Sequence, residues 1–378
     1  MKESDTDIRF IANCVRPNRI THDLFSLVFS PFMTRCLGLA LCLGLVLTGC
    51  LPHSCQRDRE QALFPSDSLS REVAASAPQD TLQTVWYKEA TDEHPLERPR
   101  TVRLGPDGHV WVTDAARNRL LVFGPDGTRL RDIDPSGFDV PYLAGLRADT
   151  AIVFNAGADR FDWIVGDTAV RSVTFTRPDP STLAYTLATS DALYAKVVGQ
   201  DVDGMLLRLN DRTGTVAAET ALPGPYWRHA GFLRTWGDSL LSLSGFRPSL
   251  QVAPLGFADA APLDTLVLTG FDSPMLARRY AFVQGDVTQA PLLSVGAAGA
   301  GPFLFVLNLR PGWIRIDVYD HEGRLRHVLT PSTRTSRPNF YPVDLDVQTT
   351  ADGYRLAVVR RAPTPRVTVY RWHPASPL

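Results

Sequence analysis

The stretch Arg98 to Ile133, RPRTVRLGPDGHVWVTDAARNRLLVFGPDGTRLRDI, constrains the chain more than any other, because it reads as four short strands joined by three turns. Thr101 to Gly105 leads into Pro106-Asp107-Gly108, where proline presets φ and glycine tolerates a positive one. His109 to Thr113 follows. A polar link, Asp114 to Asn118, leads into Arg119 to Phe123, and Gly124 to Thr128 repeats the first turn before Arg129 to Ile133. A lone four-stranded meander leaves both faces uncovered, so such units fold as members of a larger array.

Worn copies of the same rhythm run from Tyr142 to Phe175, Leu183 to Leu222, Ala230 to Gly270, Pro291 to Leu329 and Pro342 to His373. The last copy shows only three strands, while Thr81 to Tyr87 stands alone ahead of the first unit. Pairing that orphan strand with Val367 to Tyr370 completes the last unit and closes a ring, which removes the open edges that invite aggregation. Second strands end at Asp114, Asn155 and Lys196, each 41 residues from the last, within the ~40 to 50 of a four-stranded blade. The expectation is an all-β chain, a six-bladed β-propeller of four-stranded antiparallel blades over 81–374, ring-closed by its N-terminal strand. An immunoglobulin-like array is the alternative.

The segment ahead of the repeats carries an address. Arg35 precedes the uncharged apolar run Cys36 to Leu47, and Thr48-Gly49 leads to Cys50. That run is too short to span a bilayer, which takes ~20 apolar residues, and reads as a signal h-region over 33–49. Leu47-Thr48-Gly49-Cys50 resembles the lipobox of bacterial lipoproteins, which implies lipidation of Cys50. The implied location is the bacterial cell envelope, periplasmic or outer-membrane face, with the lipid as membrane contact. Residues 1–32 are expected to be a non-native extension, with translation starting at Met33, and 50–80, rich in Ser, Ala, Pro and Gln, a flexible tether. Of five cysteines only Cys55 remains beyond the lipidation point, so no intramolecular disulfide staples the domain.

Gly105-Pro106-Asp107-Gly108, Trp111 to Asp114, Asn118-Arg119 and Phe123 before a glycine turn resemble an NHL repeat, the blade of six-bladed propellers found in bacterial surface lipoproteins. The residue-level resemblance covers about one blade; the other units match in rhythm. It implies a fold and not an activity, because propellers host binding modules, scaffolds, lyases and lactonases alike.

In a meander, first-to-second and third-to-fourth turns share one face, and second-to-third loops and blade connections share the other. The first face collects aspartates beside glycine, such as Asp107, Asp126 and Asp320, which turn chemistry explains. The second collects arginines with no turn preference, either a salt-bridged rim or a pocket for an anionic ligand. The candidate ligand-binding residues are Tyr226, Trp227, Arg228, His229, Arg247, Arg278, Arg279, Arg310 and Arg337. Ser273-Pro274 ahead of MLARRYAFV predicts a short helix carrying Arg278 and Arg279 as a lid.

Metal chemistry finds no ligand set: the strand starts Pro99-Arg100, Pro141-Tyr142, Ser181-Thr182, His229-Ala230, Pro291-Leu292 and Tyr341-Pro342 supply one His and no carboxylates. No cofactor is expected, and a net charge of -1 gives no pull toward nucleic acid. The expected function is a non-catalytic binding module for an anionic small molecule, glycan or envelope protein. The alternative is a metal-free lyase or hydrolase using His229 and Arg228, and a scaffold without a pocket is the third reading.

Overall fold

Both Pro-Asp-Gly turns form as the sequence predicts. Gly108 and Gly127 take φ of +80° and +84°, and the Asp107 and Asp126 carboxylates accept the N–H groups of His109 at 3.0 Å and Thr128 at 2.9 Å. The computed structural model describes residues 67–92, 95–200, 202–332 and 339–374. The 1–32 extension, the signal-like run, Cys50 and Arg337 lie outside them.

Helix α1 (Asp67–Ser76) and strand β1 (Gln79–Glu89) come first. The first meander follows as β2 (Pro99–Leu104), β3 (Val110–Asp114), β4 (Arg119–Phe123) and β5 (Arg129–Ile133). The second is β6 (Pro141–Arg147), β7 (Thr150–Asn155), β8 (Arg160–Val165) and β9 (Thr168–Thr174). The third is β10 (Leu183–Ala188), β11 (Leu193–Val198), β12 (Gly204–Leu209) and β13 (Val216–Leu222). The fourth is β14 (Leu233–Trp236), β15 (Ser239–Leu243), β16 (Ser249–Pro254) and β17 (Asp264–Val267). Next come β18 (Ser294–Ala300), β19 (Phe303–Asn308), β20 (Arg315–Tyr319) and β21 (Leu325–Pro331). The last are β22 (Tyr341–Thr350), β23 (Gly353–Ala362) and β24 (Arg366–Trp372).

The orphan strand does pair where expected. β1 runs antiparallel to β24, with Trp86 opposite Val369 and Lys88 opposite Val367. Its first half makes a second, unforeseen partnership: Gln79 to Leu82 pair in parallel with Val328 to Pro331 of β21. That parallel ladder joins β18–β21 to β22–β24 in one eight-stranded sheet. Where six separate blades were expected, strand pairing gives four four-stranded sheets and one eight-stranded sheet, because β1 bonds on both sides.

Helix and strand also form within the expected 50–80 tether. Val73 and Ala77, four residues apart and so on one helical face, are buried against Trp236, Leu268, Phe271 and Leu325. Residues 67–80 of the expected 50–80 tether are accordingly helix and strand. Helix α2 (Leu276–Gln284) forms over the predicted run, with Ser273 Oγ accepting the Met275 N–H at 3.2 Å. Ala277–Pro291 falls outside the unit that holds the propeller strands.

The first strands β2, β6, β10, β14, β18 and β22 neighbour one another in cyclic order, which makes the fold an all-β propeller around a central channel. Core clusters lie between successive sheets: Trp111, Leu120 and Val122 of one pack on Leu143, Ala151 and Val153 of the next. Burying each such side chain contributes ~1.5 to 3 kcal/mol.

Candidate functional site

At the channel end where first strands begin, the chain places aromatic and basic side chains rather than the aliphatic ones found deeper. Arg100 stands at the start of β2, Tyr142 of β6, Tyr185 near that of β10, Phe232 just ahead of β14 and Tyr341 at the start of β22. All five are partly exposed, whereas Val102, Leu143, Leu233 and Leu345, one to four residues further in, are fully buried. Burial pushes the Tyr185 phenol far above its usual value, and the Tyr142, Tyr226 and Tyr341 hydroxyls around it act the same way, with Arg100 opposing them. Burial raises Tyr341 as well, against the pull of Arg100 and Arg361. Both phenols stay protonated and can donate a hydrogen bond.

An ion-pair bridge crosses the channel below this mouth. Asp344 of β22 accepts from Arg103 of β2 at 3.1 Å, from Arg234 of β14 and from the Val102 N–H at 3.0 Å. Asp346 accepts the Leu104 N–H at 2.7 Å, and burial raises its carboxyl toward the neutral form. Burial, then the Arg103 charge, lowers Arg234 to about 10. Beside it, Lys196 of β11 is fully buried and donates to Leu243 O at 2.8 Å, Ser242 Oγ at 3.2 Å and Phe232 O at 3.5 Å.

Five of the sequence-predicted site residues do come together. Tyr226–Arg228 form a single 3-10 turn, the Arg228 guanidinium lies 5.7 Å from the Trp227 ring centre, and Tyr226 meets Phe246 edge-on at 6.4 Å. The Trp227 carbonyl accepts the Ser244 hydroxyl at 2.9 Å. His229 is buried, its Nε2 donating to Pro223 O at 3.0 Å and its Nδ1 facing the Gln251 carboxamide at 3.3 Å. Burial lowers it to about 4, and Lys196 and Arg247 add to the effect. A neutral imidazole with both nitrogens engaged is not placed for the proton transfer that the lyase or hydrolase alternative requires.

Arg310 is held elsewhere, donating to the Asp272 carboxylate at 2.5 Å and carbonyl at 2.8 Å beside Arg315. Arg278 is exposed, and Arg279 is buried with its guanidinium 5.2 Å from the Phe282 ring centre. Arg160 and Arg177 pair with Asp162 and Asp159. Much of the arginine face is thus a salt-bridged rim.

The even 41-residue spacing misplaces Lys196. Asp114 and Asn155 pair with the strand starts Pro99 and Pro141, but in the third sheet Val198 holds that place, opposite Leu183. Lys196 sits two residues deeper, where the first two sheets carry Val112 and Val153. Asp114 instead accepts the Glu97 and Arg98 N–H groups at 3.1 and 2.8 Å, and Asn155 that of Asp139 at 2.7 Å. Arg100, Tyr142 and Tyr341 stand at strand starts in the sequence itself, a position that marks them as channel-facing once the ring is known.

A family model for the NHL repeat matches residues 96–123, the span of β2 to β4 with its lead-in. This chain is a β-propeller in which one blade carries an NHL-like repeat. Regucalcin from Agrobacterium tumefaciens, a calcium-binding protein, superposes on the propeller with a TM-score of 0.51 at 13% identity, covering 80% of this chain and 100% of its own. Virginiamycin B lyase from Staphylococcus aureus gives a TM-score of 0.46 at 14% identity, covering 72% of this chain and 80% of its own. At such identities the likeness concerns the fold alone. No curated protein matches the sequence. Among the described residues of the propeller, no three His, Cys, Asp or Glu side chains group closely enough to hold a metal ion.

Proposed function

We propose that this NHL-like propeller is a non-catalytic binding module that takes an anionic, ring-bearing ligand at the tyrosine-lined mouth. The reading includes lipid attachment at Cys50 in the bacterial cell envelope, and it counts the eight-stranded sheet as two blades, making six. The observation that carries it is the convergence of Tyr142, Tyr185, Tyr226, Tyr341 and Arg100 from separate segments onto one channel end. Half-exposed phenols offer stacking faces and hydroxyl donors, and Arg100 adds positive charge beside them. The bridge through Asp344 lies beneath the opening, and the His229 ring is already engaged with Pro223 O and the Gln251 side chain.

Isothermal titration of the purified chain with glucuronate and benzoate tests the binding role. Saturable binding that Tyr341→Ala and Tyr142→Ala each weaken about tenfold is expected, the scale of one lost aromatic contact. No binding of either probe overturns it. Lipid attachment is checked separately by palmitate labelling in a bacterial host, with Cys50→Ser expected to abolish the label.

A further inference from the structure

We propose that Lys196 and Arg234, buried behind the wall formed by Tyr185 and Phe232, make the mouth selective for a carboxylate over its uncharged counterpart without touching the ligand. The inference rests on the mouth being the ligand site. Lys196 Nζ lies 5.3 Å from the Tyr185 ring centre, and the Arg234 guanidinium lies 5.1 Å from that of Phe232. The two rings meet edge to face at 6.1 Å. Each cation therefore stands behind an aromatic side chain that is itself partly open to the mouth, while Lys196 is 0% and Arg234 5% exposed.

The local charge is not balanced. Among the described residues no carboxylate pairs with Lys196, whose bonds go to two carbonyls and a hydroxyl. Burial, then the Arg234 charge, lowers Lys196 well below its usual value; the two carbonyls take two N–H groups, and the Ser242 hydroxyl accepts the third of an ammonium or donates to a neutral amine. Arg234 and Arg103 share the single carboxylate of Asp344. Burial raises the Asp346 carboxyl while Arg103 and Arg234 oppose the rise, and His229, lowered to about 4, is neutral near pH 7. Tyr185 on the other side stays a phenol. With Lys196 protonated, it stands with Arg103 and Arg234 against the two carboxylates of Asp344 and Asp346, and one positive charge is left beneath the mouth.

The fold itself does not ask for that charge. At the matching place in the first two sheets Val112 and Val153 pack as ordinary core. Burying an ammonium there costs desolvation energy that a methyl-bearing side chain avoids. A positive charge roughly 10 Å from a bound carboxylate, at the intermediate dielectric of such sites, favours it on the order of tenfold.

The test is isothermal titration of the full chain with benzoate against benzyl alcohol and with glucuronate against glucose, for wild type and Lys196→Met. Wild type is expected to prefer the carboxylate of at least one pair, and the pair that binds tells an aromatic ring from a sugar. Lys196→Met is expected to lose about tenfold of that preference, with affinity for the uncharged partner unchanged and thermal stability equal or higher. A purely structural lysine gives the reverse, lower stability with the preference intact, and that result overturns the proposal. If neither carboxylate binds wild type, the mouth reading itself has failed; if one binds and the preference survives Lys196→Met, only the present inference falls. Should Lys196→Met not fold, wild type decides: carboxylate affinity falls as pH rises through the Lys196 titration while that of the uncharged partner holds, and parallel curves overturn the inference.

Discussion

The first and third sheets share one strand plan and handle polarity in opposite ways. In the first, the polar group sits at the end of the second strand: Asp114 clamps the incoming chain at Glu97 and Arg98 and lies 3.5 Å from Arg119. In the third, that end is the apolar Val198, and the polar group has moved inward to Lys196, which binds the carbonyls of the next sheet. A charge at the strand end is consumed by its own blade. A charge two residues deeper faces the neighbouring blade and the channel, so one small displacement converts a local clamp into a feature of the site.

The largest effect is expected from Asp114→Ala, which removes the clamp and leaves Arg119 buried with one carboxylate fewer. Breaking such a pair costs ~3 to 5 kcal/mol, measurable as a drop in the urea midpoint. A loss under about 1 kcal/mol would erase the contrast with the third sheet.

An intermediate effect concerns His229, beside Lys196. Its folded value of about 4 lies below the ordinary 6.5, so between these values the unfolded chain binds more protons and stability falls as pH drops. The loss from pH 7 to 4 is about 3 kcal/mol for this group. Urea unfolding across that range should show it, and His229→Gln should flatten this part of the profile. An unchanged slope in the variant would mean that another group drives the acid transition.

The smallest effect is expected at the rim. Arg177→Ala removes a partly exposed pair with Asp159, worth about 0.5 kcal/mol, and added salt should shrink it further. A larger cost there would make rim and clamp alike in kind.

The strands were legible in the sequence because turn residues punctuate them: Gly108, Gly127 and Gly323 all sit at positive φ, where the reading placed turns. Closure by β1 was legible because the last unit lacked a strand. The parallel half of β1 was not, since nothing in Gln79 to Leu82 distinguishes a strand with one neighbour from a strand with two. For the site, Tyr226 to His229 stood out as aromatics and bases together, yet their backbone turn holds His229 in the core. Tyr142, Tyr185 and Tyr341 are far apart in the chain and each unremarkable alone, so only the ring reveals them as a set. Lys196 was misread because equal spacing does not guarantee equal register: the third sheet's second strand ends two residues later.

The double bonding of β1 bears on how the protein is made. Of the described strands it is the first to leave the ribosome, yet its partners β21 and β24 are among the last. Until they arrive it has no native neighbour, so the final step of assembly joins segments separated by nearly the whole domain. Such distant pairing folds slowly. An unfinished chain truncated before Arg366 would keep the parallel ladder to β21 but lose the longer antiparallel one to β24, leaving β23 and half of β1 with open edges.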